Sequence, residues 1–147
     1  VEFPLASGSI AKSVAVGNGD DGIALATQGT GFVIANNTVG GNDDHGLAVL
    51  GMSSATAITK NTSIGNGSDG IFVDSTAGTT ALTANRAIGN GRYGIAVDVA
   101  AGTLTKNVAH ANVLHGITTP FGATDGGGNQ ARHNGTDPQC GVPIVCP

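Results

Sequence analysis

Gly17-Asn18-Gly19-Asp20-Asp21-Gly22-Ile23 returns as Gly41-Asn42-Asp43-Asp44-His45-Gly46-Leu47, Gly65-Asn66-Gly67-Ser68-Asp69-Gly70-Ile71 and Gly89-Asn90-Gly91-Arg92-Tyr93-Gly94-Ile95. A weaker copy reads Ala111-Asn112-Val113-Leu114-His115-Gly116-Ile117. The second glycine falls at 22, 46, 70, 94 and 116, in steps of 24, 24, 24 and 22. Two asparagine columns keep phase with it. One is Asn18, Asn42, Asn66, Asn90, Asn112 and Asn134; the other is Asn37, Asn61, Asn85, Asn107 and Asn129, with Ser13 in its first slot. Three residues ahead of the second column stand Ile10, Ile34, Ile58, Leu82 and Leu104. Fixed-period self-similarity of this kind marks a repeat architecture.

The repeat unit is not helical. Its apolar runs are short and end in Gly or Asn, as in Phe32-Val33-Ile34 and Leu47-Ala48-Val49, which reads as strands bounded by turns. Three such strands and their turns fill 22 to 24 residues. The expected fold is therefore all-β, a single parallel β-solenoid of about six coils, each strand pairing with its equivalent about 4.8 Å away in the next coil. Stacked in identical turns, each Asn offers an acceptor and two donors to its neighbours. The ladder so formed satisfies turn groups that no sheet reaches. Asn also tolerates the left-handed conformation and is expected to supply it at the turn. Asn36, Asn61, Asn66 and Asn134 fit the N-glycosylation pattern, but the ladder already accounts for the last three.

Composition narrows the function. Gly supplies 25 of 147 residues, more than twice the usual share of about 7%. Charged residues are 11%, aromatic residues 3% and the net charge is −4, which speaks against an electrostatic nucleic-acid binder. No apolar run approaches the ~18 residues of a membrane-spanning helix. The sequence opens on Val1-Glu2-Phe3-Pro4, without basic or apolar leader character; a signal peptide, had there been one, is expected to have been removed. Residues 1–12 read as an entry coil, 13–135 as the repeats and 136–147 as a cap. The two cysteines, Cys140 and Cys146, sit six apart among prolines. They read as a disulfide rather than a metal pair, because no further ligands lie at suitable spacing. Closing that loop is worth about 2 kcal/mol in the chain-entropy model, and it points to a secreted protein in an oxidising compartment.

The pattern Asn-x-x-x-Gly-Asn-x-x-x-Gly-[Ile/Leu]-x-[Val/Leu] resembles the right-handed parallel β-helix proteins of the pectate-lyase-like fold, over residues 10 to about 135. The resemblance implies a right-handed coil and carbohydrate as the ligand class. It implies nothing about which polysaccharide, since that fold serves lyases, hydrolases, alginate-modifying enzymes and phage tailspikes alike.

From the ladder position to the second glycine is always nine residues, so the length variation lies after the Gly-Ile strand. Those loops are short and built mainly of Gly, Ala, Ser and Thr, where enzymes of such folds carry their recognition elements. Asp20, Asp21, Asp43, Asp44 and Asp69 gather at one turn of the first three coils. They read either as a Ca²⁺ site, since hard cations want several carboxylates, or as solvated turn residues. The same edge becomes basic and aromatic at Arg92, Tyr93 and His115. The stretch Asn18 to Leu25 resembles the Asp-Asp segment of polygalacturonases, with His45-Gly46 one coil on. That resemblance would make Asp20 or Asp21 the acid of an inverting pair, with His45 beside it. The Arg-x-Lys of that family does not follow, and its Asn-Thr-Asp segment would precede the chain. A lyase would need an arginine base, and Arg92 is expected to lie about 10 Å from most of the acids. No catalytic set is assigned, and no turnover of pectin, polygalacturonate or alginate is expected. Phe72, at an outward slot, could stack on a sugar; Lys12, Lys60 and Lys106 read as a solvated face. The reading is a secreted structural or carbohydrate-binding β-helix needing no cofactor. Its alternatives are a polysaccharide hydrolase or lyase, and a subunit that stacks end to end through unpaired strand edges.

Overall fold

The structure is a computed structural model and describes residues 7–26, 31–51, 55–74, 79–99 and 102–147. Most of the variable loop segments fall outside these residues, as does the start of the entry coil. Among the described residues, seventeen short strands form three parallel sheets. The first holds Ser9–Ala11, Phe32–Ala35, Thr56–Thr59, Thr80–Thr83, Gly102–Thr105 and Thr124–Asp125; the second holds Val14–Val16, Thr38–Gly40, Thr62–Ile64, Arg86–Ile88, Val108–His110 and Gln130–Arg132. The third has five strands: Ile23–Ala26, Leu47–Leu50, Ile71–Asp74, Ile95–Val97 and Ile117–Thr118. Every strand pairs in parallel with its equivalent one coil away, as Ile58 with Ile34 and Leu82. Two faces thus have six rungs and the third has five, in line with the expected number of coils. The first rung starts at Ser9, inside the segment expected as an entry coil.

Inward columns make the core. Ile34, Ile58, Leu82 and Leu104 from the first sheet meet Leu47, Ile71, Ile95 and Ile117 from the third, all at most 1% exposed. Apart from Val39, the second sheet contributes small side chains inward, among them Ala87, Ala109 and Ala131. Ser63 shares that column, fully buried, and donates to the Gly70 carbonyl at 2.7 Å.

Both asparagine columns form continuous ladders. In each rung the Oδ1 accepts from the backbone N–H and the Nδ2 of the preceding Asn; Asn61 Oδ1 takes both from Asn37 at 3.0 Å. In the Asn37 to Asn129 ladder the Nδ2 also donates back to a carbonyl of the first sheet, as Asn61 to Ile34 at 2.9 Å; in the other ladder it donates to one of the second sheet, as Asn112 to Ala87 at 3.1 Å. The left-handed conformation, however, belongs to the residue before the ladder Asn. Lys12, Asn36, Lys60, Ala84, Lys106 and Gly128 precede one ladder, Gly17, Gly41, Gly65, Gly89, Ala111 and His133 the other, and all twelve have positive φ. The expectation that Asn itself supplies that conformation is therefore corrected: an αL residue swings the chain inward, and the next residue's side chain then lies under the neighbouring coil. Asn36, the one exposed sequon asparagine, is such a turn residue.

The C-terminal segment ends both ladders. Gln139 Oε1 accepts from Asn134 N–H and Nδ2 at 2.9 and 2.8 Å. Asp125 Oδ1 accepts from Asn129 Nδ2 at 2.9 Å, while its Oδ2 accepts from the Val145 N–H at 3.0 Å. Cys140 and Cys146 are disulfide-bonded. Cys140 and Ile144 pack on the end of the core.

Candidate functional site

Between the second and third sheets each coil runs αL residue, ladder Asn, three residues, Gly. The last of those three forms the column Asp21, His45, Asp69, Tyr93 and His115, and the column is itself hydrogen-bonded. Asp21 Oδ1 accepts from the His45 N–H at 2.9 Å, His45 Nδ1 from the Asp69 N–H at 3.2 Å, and Asp69 Oδ1 from the Tyr93 N–H at 3.0 Å. In this arrangement Nδ1 of His45 is the acceptor, so its ring proton sits on Nε2. That edge faces Asp44 Oδ1 at 3.6 Å.

Asp69 is the most committed member of the column. Its side chain is only 1% exposed, and Oδ2 lies 3.5 Å from Arg92 Nη1 and 3.5 Å from His45 Nδ1. The guanidinium balances the buried carboxylate. Half of the Arg92 side chain remains open to solvent, at 52%.

Beside this column, along the outer face of the third sheet, runs a groove of about 360 Å³. Its walls include Phe72, Arg92, Tyr93, Asp98 and Pro120. The phenyl ring of Phe72 stacks on His45, centroids 4.9 Å apart. Arg92 lies 5.1 Å over the Tyr93 ring, and Tyr93 stacks at 5.9 Å on His115. Burial pushes the Asp98 carboxyl above the ordinary range; Asp74 and Asp69 add to the rise and Arg92 partly offsets it. Aromatic faces, a guanidinium and a carboxyl in one trough can stack on sugar rings and hydrogen-bond a uronate carboxylate.

The residues expected from the sequence divide here. Asp21, Asp44 and His45 bring one ligand atom each within 4.8 Å of one another. Asp20 and Asp43 are exposed and stand outside that trio. Asp69, expected among the cation ligands, is turned toward Arg92 and His45. Arg92, expected to lie too far from most of the acids to cooperate, reaches one of them, because a side chain of its length spans the single coil to Asp69. Asp98, Gln139 and Asp125 escaped the sequence reading. Asp98 is the first residue beyond the Gly-Ile-Ala-Val strand, in the variable segment of the repeat. Asp125 takes the slot that Leu104 fills one coil earlier, and Gln139 lies beyond the repeats.

The second glycine has its reason here too. A Cβ at Gly46 would stand 2.6 Å from Asn66 Nδ2 and 2.7 Å from the Gly70 carbonyl oxygen; at Gly94 it would stand 2.6 Å from both Asn112 Nδ2 and the Gly116 oxygen. The glycine makes room for the ladder of the next coil.

Residues 6–109 match the family described as right handed beta helix region. With that match over most of its length, and three parallel sheets to go with it, the chain belongs to the right-handed β-helix family. Among solved structures it is similar to the A-module of the mannuronan C-5 epimerase AlgE4 of Azotobacter vinelandii, with a TM-score of 0.74 and 27% identity. The alignment covers 90% of this chain and 38% of that one, so this chain spans well under half of the module it matches. A comparison with curated proteins returned no match.

Proposed function

We propose that this β-helix is a secreted carbohydrate-binding unit that takes an acidic polysaccharide along the groove outside its third sheet. The observation that carries the reading is the grouping of Phe72, Tyr93 and Arg92 on neighbouring coils, in a trough that a sugar chain could follow. The guanidinium spends one nitrogen on Asp69 and keeps further donors for a uronate. Support comes from the similarity to a module named for its action on mannuronan, an acidic polysaccharide. The disulfide supports an oxidising compartment. The test is calorimetric titration with oligomannuronate, oligoguluronate, oligogalacturonate and a neutral oligosaccharide. Acidic oligomers should bind and lose at least tenfold in affinity in Arg92→Ala and in Phe72→Ala. Equal affinity in both variants, or no binding of any oligomer, would defeat the reading.

A second reading is a polysaccharide-modifying enzyme, a hydrolase or lyase among them. It is favoured by one observation: Asp69, at the groove wall, lies against His45 and Arg92 and accepts from the Tyr93 backbone N–H. A neutral imidazole beside a buried carboxylate is an arrangement that can move a proton. Sustained product formation that disappears in His45→Ala and Tyr93→Phe would establish it.

A further inference from the structure

We propose that His110 and His133 form a binding site for a divalent transition-metal ion, with Cu²⁺ the best fit and Ni²⁺ next. The site is separate from the groove and from the Asp21, Asp44 and His45 trio.

His110 ends the strand Val108–His110, and its register partner one coil on is Arg132. His133 is the next residue after Arg132 and occupies the αL position of its turn, with φ of 54°. One strand-end column and one turn column on successive coils therefore deliver two imidazoles side by side. Nε2 of His110 and Nδ1 of His133 are 2.9 Å apart, with ring centroids at 5.0 Å and planes at 71°. The same αL slot holds glycine at Gly17, Gly41, Gly65 and Gly89. A side chain there costs roughly 1–2 kcal/mol of backbone strain, although His tolerates the region better than most residues. Here the strained position is the one that brings the second imidazole against the first.

Ligand type carries the metal preference, and the separation permits chelation. Two metal–nitrogen bonds of about 2.0–2.1 Å meeting at a right angle put their nitrogens about 2.9 Å apart, whereas a tetrahedral angle opens them to about 3.3 Å. The observed 2.9 Å is a hydrogen bond between the rings, already within the span that two adjacent ligands of one ion need; with imidazole as the ligand, the order of divalent affinities puts Cu²⁺ first and Ni²⁺ next. In the free protein the two nitrogens share one proton. On binding, the donor imidazole moves that proton to its far ring nitrogen, so both lone pairs reach the metal with no net loss of protons. The pair faces a shallow concavity of about 240 Å³ lined also by Val108, Ala109, Gln130 and Arg132, which leaves space for water ligands. Among the described residues no carboxylate lines it, so it lacks the oxygen ligands that Ca²⁺ and Mg²⁺ want. Arg132 beside the pair opposes any cation.

The experiment is calorimetric titration of the untagged chain with Cu²⁺, Ni²⁺, Zn²⁺ and Ca²⁺, with imidazole signals followed by NMR under diamagnetic Zn²⁺. Affinity should fall in the order Cu²⁺, Ni²⁺, Zn²⁺, with no Ca²⁺ response at these two rings. His110→Gln and His133→Gln should each weaken Cu²⁺ at least tenfold, because each removes the chelate. Removing the charge in Arg132→Ala should tighten Cu²⁺ about tenfold, the effect in water of a unit charge on a divalent ion at a separation of about 6 Å. His45→Gln should leave this binding intact. Both histidines lie at the surface, so unchanged melting curves will show that the variants are folded. Full Cu²⁺ affinity in the two His→Gln variants, or its loss in His45→Gln, would overturn the proposal.

Discussion

The ladder asparagines and the residues just before them make opposite contributions, although they are neighbours in sequence. Asn61 is buried and holds groups on two coils, Asn37 N–H and Nδ2 and the Ile34 carbonyl. Asn61→Ala strands them in a dry turn and should cost about 3 kcal/mol. Lys60 is exposed and contributes a backbone conformation that Ala adopts equally well. Lys60→Ala should cost under about 0.5 kcal/mol. Denaturant melts of the two variants check this, and equal losses would contradict the assignment of inward and outward columns. Two glycines of one coil separate in the same manner. Gly65 has positive φ and open space where a Cβ would go, so Gly65→Ala pays only the left-handed penalty, about 1 kcal/mol. At Gly70 a Cβ would sit 2.6 Å from the Gly94 oxygen and against the Asn90 amide. Gly70→Ala should cost more than about 3 kcal/mol, and the difference in melting temperature between the two variants measures steric against conformational demand.

At the scale of elements, the interesting places are the turn before the third sheet and the end of the stack. If the Asp21, Asp44 and His45 trio holds a cation, Ca²⁺ will raise the melting temperature by mass action. The rise will vanish in Asp44→Asn. A melting curve unmoved by both Ca²⁺ and EDTA would mark the turn as a solvated acidic edge. The cap depends on Asp125. The Val145 N–H, then the Gly127 N–H, and after these the Asn129 amide hold its carboxyl below the usual range, against a small opposing effect of burial. An acid with a depressed folded pKa stabilises the fold above its unfolded pKa, near 3.9. That contribution is lost as pH falls through the folded value. Stability should therefore drop on acidification below about pH 4 as the hold on Val145 weakens. Asp125→Asn should be less stable at neutral pH and show a flatter acid limb in melts recorded from pH 2 to 7.

Over the whole molecule, a solenoid couples each coil only to its neighbours, so the repeat period is nearly the whole topology. The recurrence of Gly22, Gly46, Gly70, Gly94 and Gly116, with the two Asn columns in phase, was enough to derive three short strands per coil and parallel stacking. The core columns followed as well, because stacking places like residues on like. The disulfide was legible because only two cysteines exist. By itself, then, the sequence determined the architecture: each coil repeats a local code of αL residue, Asn and Gly, and identical turns stack in one way. Outside the ladders, the tertiary structure alone decided which side chains cross from one coil to the next. Arg92 reaches Asp69, Phe72 covers His45, Asp98 joins the groove and His110 meets His133. Those contacts are diagonal, linking different columns on successive rungs. Their existence depends on side-chain length and on the lateral offset between strand end and turn, which a period along the chain does not carry.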